Sequence, residues 1–265
     1  MTMTRKLTVS LLVLLLLVLV GCAREETKPA ETPAPTAAQT APPVDPATAA
    51  TITGKVTFQG TAPKANRLRM DADAACTKMH ASPVLSQEVV VNDNGTLRWV
   101  FVYVKEGPGN RPFPTKKEPV VLDQKGCLYE PHVVGAMVNQ EVQILNSDQT
   151  THNIHPVPAN NREWNRSMPP GSDKLVDSFA REEVMIPVKC NIHPWMRSYI
   201  GVLKHPFFAV TGADGSFTIS GLPPGDYTLA AWQEKYGTVE QKVTVGAKES
   251  KEVEFTFSPS SGAGD

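Results

Sequence analysis

A thiol, an imidazole and a thioether stand close together in Cys190-Asn191-Ile192-His193-Pro194-Trp195-Met196. Thiolate and thioether are soft donors that suit copper(I), and imidazole accepts both oxidation states. Two imidazoles and a thiolate in one plane, with a weak axial thioether, make a copper site fitted to one-electron exchange. The segment lacks the second imidazole. His152, in Asn146-Ser147-Asp148-Gln149-Thr150-Thr151-His152-Asn153, can supply it from a strand remote in sequence and adjacent in space. Taken singly, Met196 reads as core, His152 as a polar loop residue and Cys190 as a buried or disulfide-linked thiol. Structural zinc would call for more thiolates or imidazoles. His155 follows His152 by three, which on an extended strand places the two on opposite faces, so both cannot bind one ion.

The elements that must hold these residues are strands. Apolar alternation and turn residues recur from residue 51 onward, the pattern of an all-β chain, and no amphipathic helix stands out. Strands are expected at 53–58, 99–104, 138–145, 183–188 and 207–210, with Cys190 directly after the fourth. Both faces of 99–104 are apolar, which suits a strand buried between two layers. Asn94-Gly95 marks a hairpin between 89–91 and 99–104. A Gly- and Pro-rich break at 107–114 is a domain boundary. Tyr227, Leu229 and Ala231 line one face of a late strand, and Val253, Phe255 and Phe257 line the inner face of the last; residues 258–265 read as a disordered tail.

The region from about 120 to 203 resembles the cupredoxins. Its C-x-x-H-x-x-M loop is similar to the short ligand loop of amicyanin, with plastocyanin-like order. Met168-Pro169-Pro170-Gly171 and Phe179 stand where that family places the loop and strand before the cysteine strand. The resemblance implies a Greek-key β-sandwich with one type 1 (blue) copper ion on His152, Cys190, His193 and Met196. It also implies that Asn153 hydrogen-bonds the two ligand loops together, and that His193 reaches the surface within an apolar patch. Pro194 and Trp195 are candidates for that docking patch; ordinary packing of Trp195 is the rival reading. Gly212-Ala213-Asp214-Gly215-Ser216-Phe217 and Gly221-Leu222-Pro223-Pro224-Gly225-Asp226-Tyr227 resemble the carboxypeptidase regulatory-like, transthyretin-like β-sandwich. Gly54-Lys55-Val56 and 99–104 are candidates for its opening strands.

The N-terminus reads as an export signal. Arg5 and Lys6 precede an apolar run at 11–20 that is too short for a comfortable span. Leu19-Val20-Gly21-Cys22 resembles the bacterial lipobox, which implies lipidation at Cys22 and stable anchoring. Ala23 at the next position favours the outer membrane, facing the periplasm or the cell surface. Residues 22–51 are rich in Pro, Ala and Thr and read as an extended tether. The expected organisation is therefore a signal at 1–21, the anchor and linker at 22–51 and an N-terminal β unit at 52–108. A cupredoxin domain at 119–205 and the regulatory-like sandwich at 206–258 follow. The N-terminal unit is either independent or part of the last sandwich.

With Cys22 lipidated, Cys76, Cys127 and Cys190 remain, an odd number, so one cannot lie in an internal disulfide. Cys190 has the metal-ligand neighbourhood. Cys76 and Cys127 then form a disulfide tying the N-terminal unit to the central domain, or join His80 and His132 in a second metal site. His205 is read as structural.

The chain carries 26 basic and 27 acidic residues, with no basic run to favour nucleic acid. Cys190 is flanked by Lys189 and Asn191, not by the His-Cys-His run of multicopper oxidases and copper nitrite reductases. There is no C-x-x-C-H haem site, no second loop cysteine for a dinuclear purple copper centre and no credible nucleophile–base set. The expected function is one-electron transfer at a membrane surface, not catalysis. Its partners would be redox proteins such as a cytochrome c or another copper protein. A copper-binding or delivery module without electron transfer, or a structural or adhesive lipoprotein, are the alternatives.

Overall fold

A computed structural model describes residues 43–109 and 111–259. The signal at 1–21, Cys22, most of the linker and the end of the C-terminal tail lie outside these residues. The described chain is all-β apart from one short helix. In order come β1 (Ala50–Phe58), α1 (Ala74–Lys78), β2 (Val90–Val91), β3 (Leu97–Arg98) and β4 (Phe101–Glu106). The central strands are β5 (Val120–Lys125), β6 (Leu128–Glu130), β7 (Val133–Met137), β8 (Val142–Asn146) and β9 (His152–Pro156). They continue with β10 (Arg166–Met168), β11 (Leu175–Asp177), β12 (Glu183–Lys189) and β13 (Arg197–Leu203). Last are β14 (Phe208–Val210), β15 (Ser216–Leu222), β16 (Gly225–Gln233), β17 (Gly237–Val245) and β18 (Ser250–Phe257).

Two sandwiches result. In the first, the sheet β15-β1-β18 packs on the sheet β14-β4-β16-β17. β1 lies antiparallel to β15 (Thr53 opposite Thr218) and parallel to β18 (Thr53 opposite Glu252). β4 pairs with both β14 and β16. Residues from the two ends of the described chain thus share one core, containing Ile52, Val56, Val102, Val104, Leu229, Ala231, Phe255 and Phe257. The central segment stands between them as a second sandwich, with sheets β10-β9-β12-β13-β7 and β11-β8-β5-β6. Its core includes Leu122, Ile144, Ile154, Ile186, Val188 and Ile200.

β4 explains how the sandwiches meet. Its unbroken apolar run sends Val102 and Val104 into the first core. Phe101 and Tyr103 point the other way, into a third cluster with Val133, Met185, Leu203 and Ala230. Opposite them, Gly135 and Gly201 are register partners on β7 and β13. A Cβ on Gly135 would lie 2.4 Å from the Phe208 ring, and one on Gly201 would lie 2.5 Å from the Phe101 ring. Two neighbouring glycines therefore make the hollow that receives two aromatic rings.

The local boundaries differ from expectation at four places, each for a physical reason. The hairpin around Asn94-Gly95 joins β2 to β3, not to β4, because Trp99 has φ of 65° and redirects the chain between β3 and β4. The expected strand at 138–145 is cut by a turn at Asn139, with φ of 60°, so the strand begins at Val142. Ordered chain begins before residue 51: Val44 packs against the first core and Ala50 is buried in β1. Finally, α1 is a helix that no apolar periodicity announces. Asp73 caps it, its Oδ1 accepting from the Ala75 and Cys76 amides at 2.7 and 3.3 Å, which satisfies two of the amides a helix start leaves open.

Candidate metal centre

β12 delivers Cys190 at its end, and β13 begins just after Met196. The loop between them closes on itself. The Met196 amide donates to the His193 carbonyl at 2.9 Å, and the Cys190 amide to the Met196 carbonyl at 3.3 Å. β9 lies beside β12, Lys189 opposite His155, and this pairing carries His152 to the same end of the sandwich. His152, Cys190 and His193 are 0%, 3% and 2% exposed. Nδ1 of His152 and Nδ1 of His193 are 2.9 Å apart, and Cys190 Sγ lies 3.8 Å from His193 Nδ1. The structure therefore brings His152, Cys190 and His193 together as a group that could hold an ion, with Met196 fully buried in the same core as Cys190.

Asn153 binds the two loops. Its Oδ1 accepts from the Asn191 amide at 2.8 Å, the Ile192 amide at 3.3 Å and the Cys190 thiol at 3.4 Å. Its Nδ2 donates to Asn165 Oδ1 at 2.7 Å. Tyr129, from β6, donates to the Asn153 carbonyl at 2.6 Å.

The outer nitrogens are held by carboxylates absent from the expected ligand set. His152 Nε2 donates to Asp148 Oδ2 at 2.9 Å, and His193 Nε2 to Asp73 Oδ2 at 3.0 Å. The hydrogen bond to His193 holds the Asp73 carboxyl below the usual carboxylate range. Burial pushes Asp148 up, but its bonds to His152 and to the Cys127 and Gly126 amides outweigh that and lower it. A carboxylate only accepts, so each ring carries a proton on Nε2 and turns Nδ1 toward Cys190. Two bare Nδ1 atoms 2.9 Å apart, beside the Cys190 sulfur, repel unless positive charge lies between them. A proton on His152 relieves that repulsion. Burial opposes it, yet bonds to Asp148 and Cys190 hold His152 up at about 9. Cys190 is pushed up by burial, but the bond from His152 and those around the loop bring it down to about 7. The donor atoms thus converge where a cation is stabilised.

His193 differs from expectation. It is buried rather than at the surface, because Asp73 and the α1 segment lie over its outer edge. Trp195 is half-buried; its ring centroid is 5.0 Å from that of His193 and its Nε1 donates to the Cys127 carbonyl at 3.1 Å. Pro194 and Ile192 remain exposed.

The other candidates fall elsewhere. Cys76 and Cys127 are joined as a disulfide, so neither offers a thiolate. His80 Nε2 lies 2.8 Å from the Gly126 carbonyl. His132 bonds to the Arg197 carbonyl and, at 2.7 Å, to Glu234. The set Cys76, His80, Cys127 and His132 therefore does not assemble as a second metal site. His155 is occupied by Asn191 and Glu163 at 3.0 and 2.6 Å, away from the His152 donor group.

Asp148 had a local signal, four residues before His152 in a polar loop. Asp73 had none, being 120 positions from His193.

Residues 204–258 match the family model of the carboxypeptidase regulatory-like domain. No curated protein matches the chain. Among solved structures, a Cu-containing nitrite reductase from Thermus scotoductus SA-01 is 17% identical with a TM-score of 0.30, over 37% of this chain. The chain spans only 25% of that enzyme's length. A purple cupredoxin from Nitrosopumilus maritimus is 21% identical with a TM-score of 0.27, covering 31% of this chain and 98% of its own. An oxidised point mutant of amicyanin is 19% identical with a TM-score of 0.29, covering 38% of this chain and 97% of its own. The character of the site therefore rests on its own donor atoms.

Proposed function

We propose that the chain binds one copper ion at His152, Cys190, His193 and Met196, as a type 1 site, and carries single electrons. The observation that supports this most is the convergence of two Nδ1 atoms and one thiolate, with both Nε2 atoms tied off by carboxylates. One thiolate, two imidazoles and a thioether suit copper better than the oxygen-seeking cations or structural zinc. Copper bound there supplies a one-electron couple. The chain's residues do the rest. Asn153 and the closed loop hold Cys190 and His193 in place, which keeps reorganisation small. The thiol, already lowered to about 7, gives up its proton readily near neutral pH. Burial keeps water from the sulfur.

On the same proposal the lipobox-like Leu19-Val20-Gly21-Cys22 supports a lipid anchor, and Ala23 after it supports the outer membrane, facing the periplasm or the cell surface. The partners would be redox proteins such as a cytochrome c or another copper protein. We read the chain as a carrier rather than an enzyme. The burial of His193 favours a second reading, a module that holds or delivers copper without exchanging electrons.

The test is a titration of the metal-free chain with copper(II), followed by visible absorption and electron paramagnetic resonance. A strong thiolate-to-copper band at one equivalent, absent in Cys190→Ser, is expected. No band in folded protein overturns the type 1 assignment. A band with negligible electron self-exchange selects the holding module.

A further inference from the structure

The two carboxylates reach the histidines by different routes. Asp148 lies in the loop between β8 and β9, within the same sandwich. Its Oδ1 accepts from the Gly126 amide at 2.7 Å and its Oδ2 from the Cys127 amide at 2.7 Å, with His152 Nε2 as the third donor. Asp73 comes from the segment between β1 and β2, outside the central sandwich in sequence. Its Oδ1 is spent on capping α1. That leaves Oδ2 for His193 Nε2 at 3.0 Å, with Thr150 Oγ1 at 3.4 Å. Both carboxylates converge on one covalent brace. Cys76 sits in α1 three residues after Asp73, and its disulfide partner Cys127 donates its amide to Asp148. The brace fixes the capping segment against the loop that holds the other carboxylate.

We propose that Asp73 is a positioning residue for the metal centre: the α1 segment, pinned by Cys76–Cys127, carries a carboxylate that locks the outer nitrogen of His193 and closes that edge to solvent. The inference rests on the copper reading. A ligating imidazole whose other nitrogen is held by a carboxylate is a fixed and more basic ligand, and losing such a partner typically weakens metal binding about 10–100-fold. The added negative charge also favours the higher oxidation state of a bound redox ion. Asp73 therefore sets the balance between copper(II) and copper(I) as well as the orientation of the ring, and the site's tuning resides partly in a segment that the metal-binding sandwich does not encode.

The test compares copper-loaded full-length wild type, Asp73→Asn and Asp71→Asn. Asparagine caps helices as well as aspartate does, so Asp73→Asn keeps the cap through Oδ1 while an uncharged NH2 donor replaces the charged acceptor that faces His193 Nε2. Asp71 is an exposed acid in the same segment, paired with Arg69 at 3.7 Å, and controls for general loss of charge. Asp73→Asn is expected to shift the copper(I)/copper(II) equilibrium about tenfold toward copper(I), a rise of about 59 mV for one electron. Its hyperfine pattern should change too, while Asp71→Asn stays at the wild-type potential. An unmoved potential in Asp73→Asn, or an equal shift in Asp71→Asn, overturns the inference while leaving copper binding intact. Absence of a thiolate–copper band in the wild type overturns the copper reading itself, and the inference with it.

Discussion

Asn153 shows how much a single side chain holds at this site. One amide oxygen takes the Asn191 and Ile192 amides and the Cys190 thiol, while its nitrogen ties back to Asn165. In Asn153→Ala two buried or half-buried amides and the thiol lose their acceptor, which costs about 1–3 kcal/mol. Copper affinity should drop about 10–100-fold as the loop loosens. Urea denaturation and a competitive chelator titration would measure both; unchanged affinity in a folded variant would remove Asn153 from this role. At this scale the sequence was informative wherever residues act through near neighbours. Cys190, His193 and Met196 share one loop, and His152-Asn153 are adjacent, so their types and order could be read together. Asp73 and Trp195 could not be read that way. Each acts through a contact with chain distant in sequence, Asp73 with His193 and Trp195 with the Cys127 carbonyl, which no local pattern encodes.

Short elements carry much of the positioning. α1 has five residues, far too few to hold a helix by itself; its cap and its disulfide hold it. The cross-link spans a sequence separation of 51, for which loop-closure entropy gives about 4 kcal/mol. A Cys76→Ser/Cys127→Ser double variant should lose roughly 2–4 kcal/mol of stability, read by urea denaturation. Because the cross-link also pins Asp73, the copper potential of that variant should move in the same direction as in Asp73→Asn. The segment between β13 and β14 offers a test by pH. His205 is buried, its ring stacked on Phe207 with centroids 5.5 Å apart. Burial, against the opposing pull of Glu182, holds its pKa below the ordinary value. The unfolded chain therefore takes up the proton first, and stability falls as pH drops below about 6.5 until the folded ring also protonates. The raised pKa of His152 acts in the opposite sense over the same range, so the readout is a difference: between pH 7.5 and 5.5, His205→Gln should gain stability relative to wild type in denaturation. At the element scale, strand existence was legible from alternation. Strand ends were not: the positive φ at Trp99 falls on a residue whose type does not announce a turn, and at Asn139 a single turn-tolerant residue stands inside an otherwise apolar run.

The whole molecule turns on the face shared by the two sandwiches. Gly201→Val would drive a branched side chain into the Phe101 ring, since even a Cβ lies 2.5 Å from it. Overpacking of this kind costs about 1–3 kcal/mol, and a thermal melt would show it. The all-β class and the apolar faces of β4 were legible from residue type, because a strand covered on both sides has to be apolar on both. The strand order within each sheet was not legible. The resemblance offered Gly54-Lys55-Val56 as an opening strand of the last sandwich, and β1 does pair with residues 216–222 and 250–257. That pairing bears on how the protein is made. A chain emerging from its N-terminus presents β1 long before either neighbour exists, so β1 waits unpaired through the synthesis of everything between. The central strands, contiguous from residue 120 to 203, can condense first, and contacts so distant in sequence close slowly. The central sandwich is thus expected to stand finished inside a host that is still incomplete, with β1 exposed to chaperones and proteases until β18 arrives to cover its last edge.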